Sequence, residues 1–165
     1  MTDVRAAWLE KAMTKYETSL VRMCYAYLGD LSLAEDAVQE TFVKAYKGYH
    51  AFRADAEEKT WLMRIAVNTC KDIRRSAWLR HSDRRRAPED LPEGAEPFSA
   101  RDDTLARAVM ALKPRLREAV LLHYYQGMST PEVAQALGIS RTAVYRRLEK
   151  ARAVLREALG AWYHE

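Results

Sequence analysis

Along most of this chain apolar residues return every three or four positions, and no segment alternates with period two for long enough to make a strand. The fold class that follows is all-α. The spacing predicts a first helix through Tyr16, Leu20, Met23, Cys24 and Tyr27, which Gly29 ends in the left-handed conformation. A second helix, capped by Ser32 with Glu35 as its reciprocal partner, turns Ala34, Val38, Phe42, Ala45 and Tyr49 to one side. The connection is short, so the two run antiparallel. The segment "TWLMRIAVNTCKDIRR" places Leu62, Ile65, Ala66, Thr69 and Ile73 inward and completes a three-helix core.

The helical pattern lapses at "APEDLPEGAEPFSARDD", residues 87–103, where Pro88, Pro92, Gly94 and Pro97 break any period. This stretch reads as a flexible acidic linker between two small helical domains, 1–86 and 104–165. A chain of 165 residues can hold both, because about 60 residues are enough for one core. The two cores are expected to be separate. Beyond the linker Leu105, Val109 and Leu112 share a face. Pro114 then opens a helix holding Leu116, Val120 and Leu121, and Gly127 stops it.

Other classes are excluded by what is missing. No run of about 18 uncharged apolar residues could span a bilayer, and the N-terminus lacks the sections of a signal peptide. A cytoplasmic protein without membrane insertion is expected. Cys24 and Cys70 each sit in an apolar helical pattern, as two buried thiols rather than a disulfide or a metal pair. His50, His81, His123 and His164 show no ligand spacing, and no cofactor or metal is expected.

"STPEVAQALGISRTAVYRRLEKAR", residues 129–152, reads as a helix-turn-helix. Ser129 and Glu132 form a capping box, Pro131 fits the first turn, and Val133, Ala134 and Leu137 face inward. Gly138 supplies the left-handed turn, Ile139 plugs the angle, and Ser140 caps the second helix. Its inner seam is Val144, Leu148, Ala151 and Leu155. The opposite face carries Arg141, Thr142, Tyr145, Arg146 and Glu149, with Arg147 and Arg152 on the flanks, near the end that enters a major groove in such proteins. Guanidinium groups there suit phosphates and the acceptor edge of guanine, so DNA is the natural ligand.

Two more faces call for partners. On the third helix Trp61, Arg64, Asn68, Lys71 and Arg75 form a narrow stripe opposite the apolar seam. Cations neutralise phosphates and a ring can stack on an unpaired base, although Trp61 also suits a core. In "AEDAVQETF" Asp36, Gln39 and Glu40 stand at i, i+3, i+4 on one helix face, in a chain whose net charge is +4. Carboxylates in a first turn stabilise the helix dipole without any partner, which accounts for Glu35 and Asp36 better than for Gln39 and Glu40.

The chain resembles bacterial RNA polymerase sigma factors of the extracytoplasmic-function (ECF, group IV) family. The resemblance rests on "AEDAVQETFVKAY", "TWLMRIAVNTCKDIRR" and "GMSTPEVAQALGISRTAVYRRLEKAR", which occur in the family's order; with the helices around them they cover most of residues 13–157. It implies that Asp36, Gln39 and Glu40 dock on the clamp coiled coil of the polymerase's largest subunit. It implies equally that Trp61, Arg64, Asn68, Lys71 and Arg75 hold the downstream promoter element as it opens, and that Arg141, Thr142, Tyr145, Arg146 and Arg147 read the upstream element. Such a protein has no catalysis of its own; the polymerase does the chemistry.

The resemblance further implies a linker that threads toward the polymerase active-site channel, here carrying Glu89, Asp90, Glu93 and Glu96. It also implies an anti-sigma factor as restraining partner, often membrane-bound. The chain departs from the family at Glu57 and Glu58 in the base-capture loop "FRADAEEK", and at Ala143 and Arg146, where Thr and Ser are usual. Two rivals stand beside this reading. One is a dimeric helix-turn-helix regulator of palindromic operators; the other is a helical hydrolase with Glu35, Asp36 and Glu40 as metal ligands.

Overall fold

A computed structural model of the protein describes residues 3–52, 57–80 and 100–163, with side chains described for 3–52, 57–77 and 104–160. All regular structure among them is helical. The helices are α1 (Val4–Leu28), α2 (Leu31–Lys47), α3 (Glu58–Arg80), α4 (Ala100–Ala111), α5 (Pro114–Val120), α6 (Thr130–Leu137) and α7 (Arg141–Tyr163). A 3-10 turn at Tyr49–Ala51 follows α2, and a π-type turn at Leu121–Tyr125 follows α5. Of the expected linker, residues 87–99 lie outside the described residues. Its last four positions are the start of α4, so the helical pattern resumes at Ala100.

The N-terminal cluster begins earlier than the periodicity suggests. Asp3 caps α1 by accepting a bond from the Arg5 N–H at 3.0 Å, adding three turns ahead of Tyr16. These turns bring in Trp8, which stacks at 5.3 Å on Tyr49 and at 5.9 Å on Trp61, and donates from Nε1 to Glu58 Oε1 at 2.8 Å. Gly29 ends α1 with φ 72°, as expected, and Asp30 starts α2 immediately. The expected cap at Ser32 is therefore corrected. Asp30 accepts from the Leu33 N–H at 3.0 Å, and Ser32 lies within the helix. Two residues of connection fold α2 back on α1. Tyr49, expected on the inner side of α2, lies just beyond its end in the 3-10 turn.

Helix α3 is buried on more sides than its predicted seam. Leu62, Ala66 and Thr69 face inward as expected, and Met63, Val67 and Cys70 are buried as well. Cys24 and Cys70 are free and buried. The two thiols meet: a hydrogen bond to Cys24 and burial push the Cys70 thiol well above its ordinary value.

In the C-terminal cluster the caps follow the sequence closely. The Ser129 N–H donates to Glu132 Oε1 at 2.9 Å, and the Glu132 N–H donates to Ser129 Oγ at 3.3 Å. Gly138 turns the chain at φ 67°, and Ser140 Oγ accepts from the Ala143 N–H at 3.0 Å. Val144, Leu148 and Ala151 are fully buried, while Leu105, expected on an inner face, is 43% exposed. The π-type turn, closed by the Gln126 N–H on the Leu121 carbonyl at 3.1 Å, bends the chain before Gly127.

The two clusters, 4–77 and 104–160, do not keep separate cores. Their buried apolar side chains form one continuous cluster, from Ala12 on α1 to Ala151 on α7. Polar groups fix the seam. Glu118, 2% exposed, accepts from the Tyr27 hydroxyl at 3.0 Å and pairs with Lys71 at 3.4 Å. Arg117 donates to the carbonyls of Tyr27 at 2.6 Å and Leu112 at 2.9 Å, and also to that of Met110. Gln126 donates to the Ser19 carbonyl at 3.2 Å and receives Lys59 on its own carbonyl. Burial, then the Glu118 charge, raises the Tyr27 hydroxyl above its ordinary value, so it stays a donor.

These contacts lead to three expected outcomes. Glu118→Ala strands the Tyr27 hydroxyl and the Lys71 ammonium and should cost about 1–3 kcal/mol in urea unfolding; an unchanged midpoint would show the seam does not depend on it. Ser129→Ala should cost about 0.5–2 kcal/mol through loss of the cap. The Ser129 backbone bond holds the Glu132 carboxyl below its ordinary 4.5. Its contribution is therefore complete above that value and lost as pH falls through the lowered one. The stability gap between wild type and Glu132→Ala should accordingly narrow in acid; a gap that widens would contradict this sign.

Candidate nucleic-acid and partner interfaces

The inner side of α2 is apolar: Ala34, Ala37, Val38, Phe42 and Ala45 are buried, with Thr41 bonded to the Ala37 carbonyl at 2.6 Å. Asp36, Gln39 and Glu40 are therefore turned outward, and all three are exposed. Because α2 begins at Leu31, its first turn holds no acidic residue. The helix-dipole account of Glu35 and Asp36 loses its basis, since that effect fades within the first turn. Val43, 43% exposed, lies one turn beyond Glu40 and extends the same face with an apolar contact.

On α3 the predicted stripe is brought together only in part. Arg64, Asn68 and Arg75 are exposed. Lys71 is half-buried and held by Glu118. Trp61 packs against the core between Trp8 and Phe52, with ring centroids 5.9 and 5.0 Å away. Its ring is a structural part of the N-terminal cluster before it is anything else. Glu58 has a similar role: its carboxylate receives the Trp8 indole and ties α1 to the start of α3. Glu57, also expected in the base-capture loop, is exposed just ahead of α3, and residues 53–56 of that loop lie outside the described residues.

On α7 the inner seam at Val144, Leu148 and Ala151 turns the opposite side to solvent. Arg141, Thr142, Tyr145 and Arg146 are exposed, Tyr145 by 61%, and Arg147 is half-buried on the flank. The free N-terminal half of α7 is thus the end that can approach a groove. Arg152, on the other flank, is engaged within the cluster: its Nε donates to the Tyr124 hydroxyl at 2.6 Å, and its guanidinium lies 5.8 Å from that ring.

Sequence reasoning missed the cleft that α3, α5 and α7 line together. Arg75 from α3 and Arg146 and Arg147 from α7 line one cleft of about 700 Å³ at the junction of the two clusters. The paired cations at 74–75 and 146–147 are visible in the sequence, but their convergence depends on how the clusters dock. Among the described residues no group of three or more His, Cys, Asp or Glu gathers to hold a metal, and no helix is long and apolar enough to cross a membrane.

Family models match both halves of the chain. The model for Sigma-70 region 2 matches residues 12–80, and that for Sigma-70, region 4, matches residues 102–155. The sigma factor NccH of Alcaligenes xylosoxydans xylosoxydans is 36% identical over 132 residues, covering 73% of this chain and 70% of that one. The ECF sigma factor SigW of Bacillus subtilis strain 168 is 28% identical over 158 residues, covering 87% and 84%. SigG of Mycobacterium tuberculosis is 30% identical over 85% of this chain, which spans only 45% of SigG's length. Among solved structures, CnrH in complex with the cytosolic domain of CnrY superposes with TM-score 0.70 at 27% identity, covering 93% of this chain and 88% of that one. RpoE of Bartonella quintana, solved with the anti-sigma factor NepR, shares the fold with TM-score 0.78 at 23% identity, over 92% and 96% of the chains. With both sigma regions present in order on these helices, the chain belongs to the extracytoplasmic-function family of RNA polymerase sigma factors.

Proposed function

We propose that this protein binds core RNA polymerase, directs it to particular promoters and helps open the DNA there, acting in the cytoplasm without catalysis of its own. The observation that carries this reading is the outward row of Asp36, Gln39 and Glu40, unpartnered among the described residues, on an α2 whose first turn is free of acids. The Asp30 cap already serves the helix terminus, so these three acceptors farther along are left for another surface. In the domain plan that fits, residues 1–86 bind polymerase and melt the downstream element, 87–103 link, and 104–165 read the upstream element.

Within that plan the acceptors on α2 meet basic and polar side chains of the clamp coiled coil in the largest subunit. Arg64, Asn68 and Arg75 face the downstream promoter element, and Lys71 joins them once it leaves Glu118. Trp61 supports the face from beneath rather than stacking on a base. Arg141, Thr142, Tyr145, Arg146 and Arg147 read the upstream element in the major groove. Ala143 and Arg146 make that preference this chain's own. The likeness to CnrH, solved with the cytosolic domain of CnrY, supports a restraining protein partner, and an anti-sigma factor of the kind often bound to a membrane fits that role.

Replacing Asp36, Gln39 and Glu40 together by alanine should weaken core polymerase binding about tenfold or more, equivalent to at least about 1.4 kcal/mol. Thermal unfolding should be unchanged, since all three are exposed. Wild-type affinity in that variant would place the docking surface elsewhere. Arg141→Ala or Arg146→Ala should weaken promoter binding by about 1–3 kcal/mol where the side chain reads a base. Retained affinity and sequence preference in both variants, measured by DNA titration of the polymerase complex, would remove α7 from the reading.

A further inference from the structure

We propose that the cleft between α3, α5 and α7 is a binding site for a linear polyphosphate chain. Arg74 and Arg75 at the end of α3 line one side, and Lys113 and Arg115 at the start of α5 line another. Arg146, Arg147 and Lys150 come from α7. Among the described residues the rest of the lining, Pro114 and Leu116, is uncharged, so seven cations line one space with no carboxylate among them. Elsewhere cations have acids to hand, as in Lys71 with Glu118, Lys44 with Asp72 and Arg5 with Asp3. Like charges gathered in a concave site repel one another unless an anion lies between them.

The chemistry of the lining selects among anions. Arg and Lys side chains are donors with no acceptor. The matching ligand is acceptor throughout. A peptide would bring backbone N–H groups that this lining cannot satisfy, even if its side chains were acidic. Among the described residues no aromatic ring lines the cleft, so none of them stacks a nucleobase as single-strand sites do. A volume of about 700 Å³ suits a small ligand and is far too small for duplex DNA. A phosphate chain meets each condition, and five of the seven cations are arginines, whose planar fork engages phosphate in pairs.

Inorganic polyphosphate and the phosphate tail of a nucleotide share this chemistry. Either would occupy Arg75, Arg146 and Arg147 together and so compete with promoter DNA, a consequence that rests on the promoter reading above. The binding claim itself does not.

The test is calorimetric titration of the full chain, without polymerase or DNA, using inorganic tripolyphosphate, ATP and a glutamate-rich peptide at physiological salt, where weak surface attraction is screened. Lys113→Ala/Arg115→Ala is the informative variant. Both residues are exposed, the Lys113 side chain makes no cap bond, and neither is assigned to promoter or polymerase. Arg22→Ala, an exposed cation on α1, is the control. The proposal predicts saturable binding of tripolyphosphate, ATP no tighter than tripolyphosphate, a loss of at least tenfold in the double variant and none in the control. Absence of saturable tripolyphosphate binding, equal affinity in wild type and double variant, tighter binding of ATP, or tighter binding of the peptide would each overturn it. Because polymerase is absent, failure here leaves the sigma-factor reading standing.

Discussion

The arrangement of this molecule depends on a buried carboxylate. Glu118 lies where α5 meets α1 and α3, and a charge so far from water is tolerable only when paired and hydrogen-bonded. Tyr27 and Lys71 provide both, one from each of the facing helices. The neighbouring Arg117 satisfies carbonyls at the ends of α1 and α4, which would otherwise be orphaned at helix termini. Adjacent side chains thus lock the docking angle of the two helical clusters. The continuous core beneath them supplies the bulk of the burial.

That docking has a functional cost and a geometric product. In the proposed reading Lys71 belongs to the α3 face that meets DNA, yet in this arrangement its ammonium is held by Glu118. On that reading full use of the α3 face requires the seam to loosen, whereas the α2 row and the N-terminal half of α7 are already exposed. The product is the basic cleft, lined by cations from α3, the start of α5 and the N-terminal half of α7. The seam makes the cleft and the seam withholds Lys71.

Much of this was legible in the sequence where the physics is local. Ser129, Gly138 and Ser140 bond within three or four residues of themselves, so a capping box and a left-handed glycine can be read from spacing. The α2 cap was misread because Asp30 and Ser32 are both good caps two residues apart; Gly29 ends α1 so sharply that the earlier one is used. The first turns of α1 have no strong period, since Trp8 answers to Tyr49, Trp61 and Glu58, more than 40 residues away. Glu118 finds Tyr27 across 91 positions, and no pattern along the chain announces that pairing. The outward residues on α2 and α7 were legible because each is simply opposite a readable apolar seam. Trp61 and Lys71 were legible as a stripe but not as groups already engaged.

The most direct measurement is run-off transcription by purified core polymerase on a library of promoter fragments, with and without this protein. The account predicts that initiation appears only when the protein is present, and from fragments that share an upstream and a downstream element at fixed spacing. Duplex binding by the protein alone, with no polymerase recruitment and no shared start site, would contradict it.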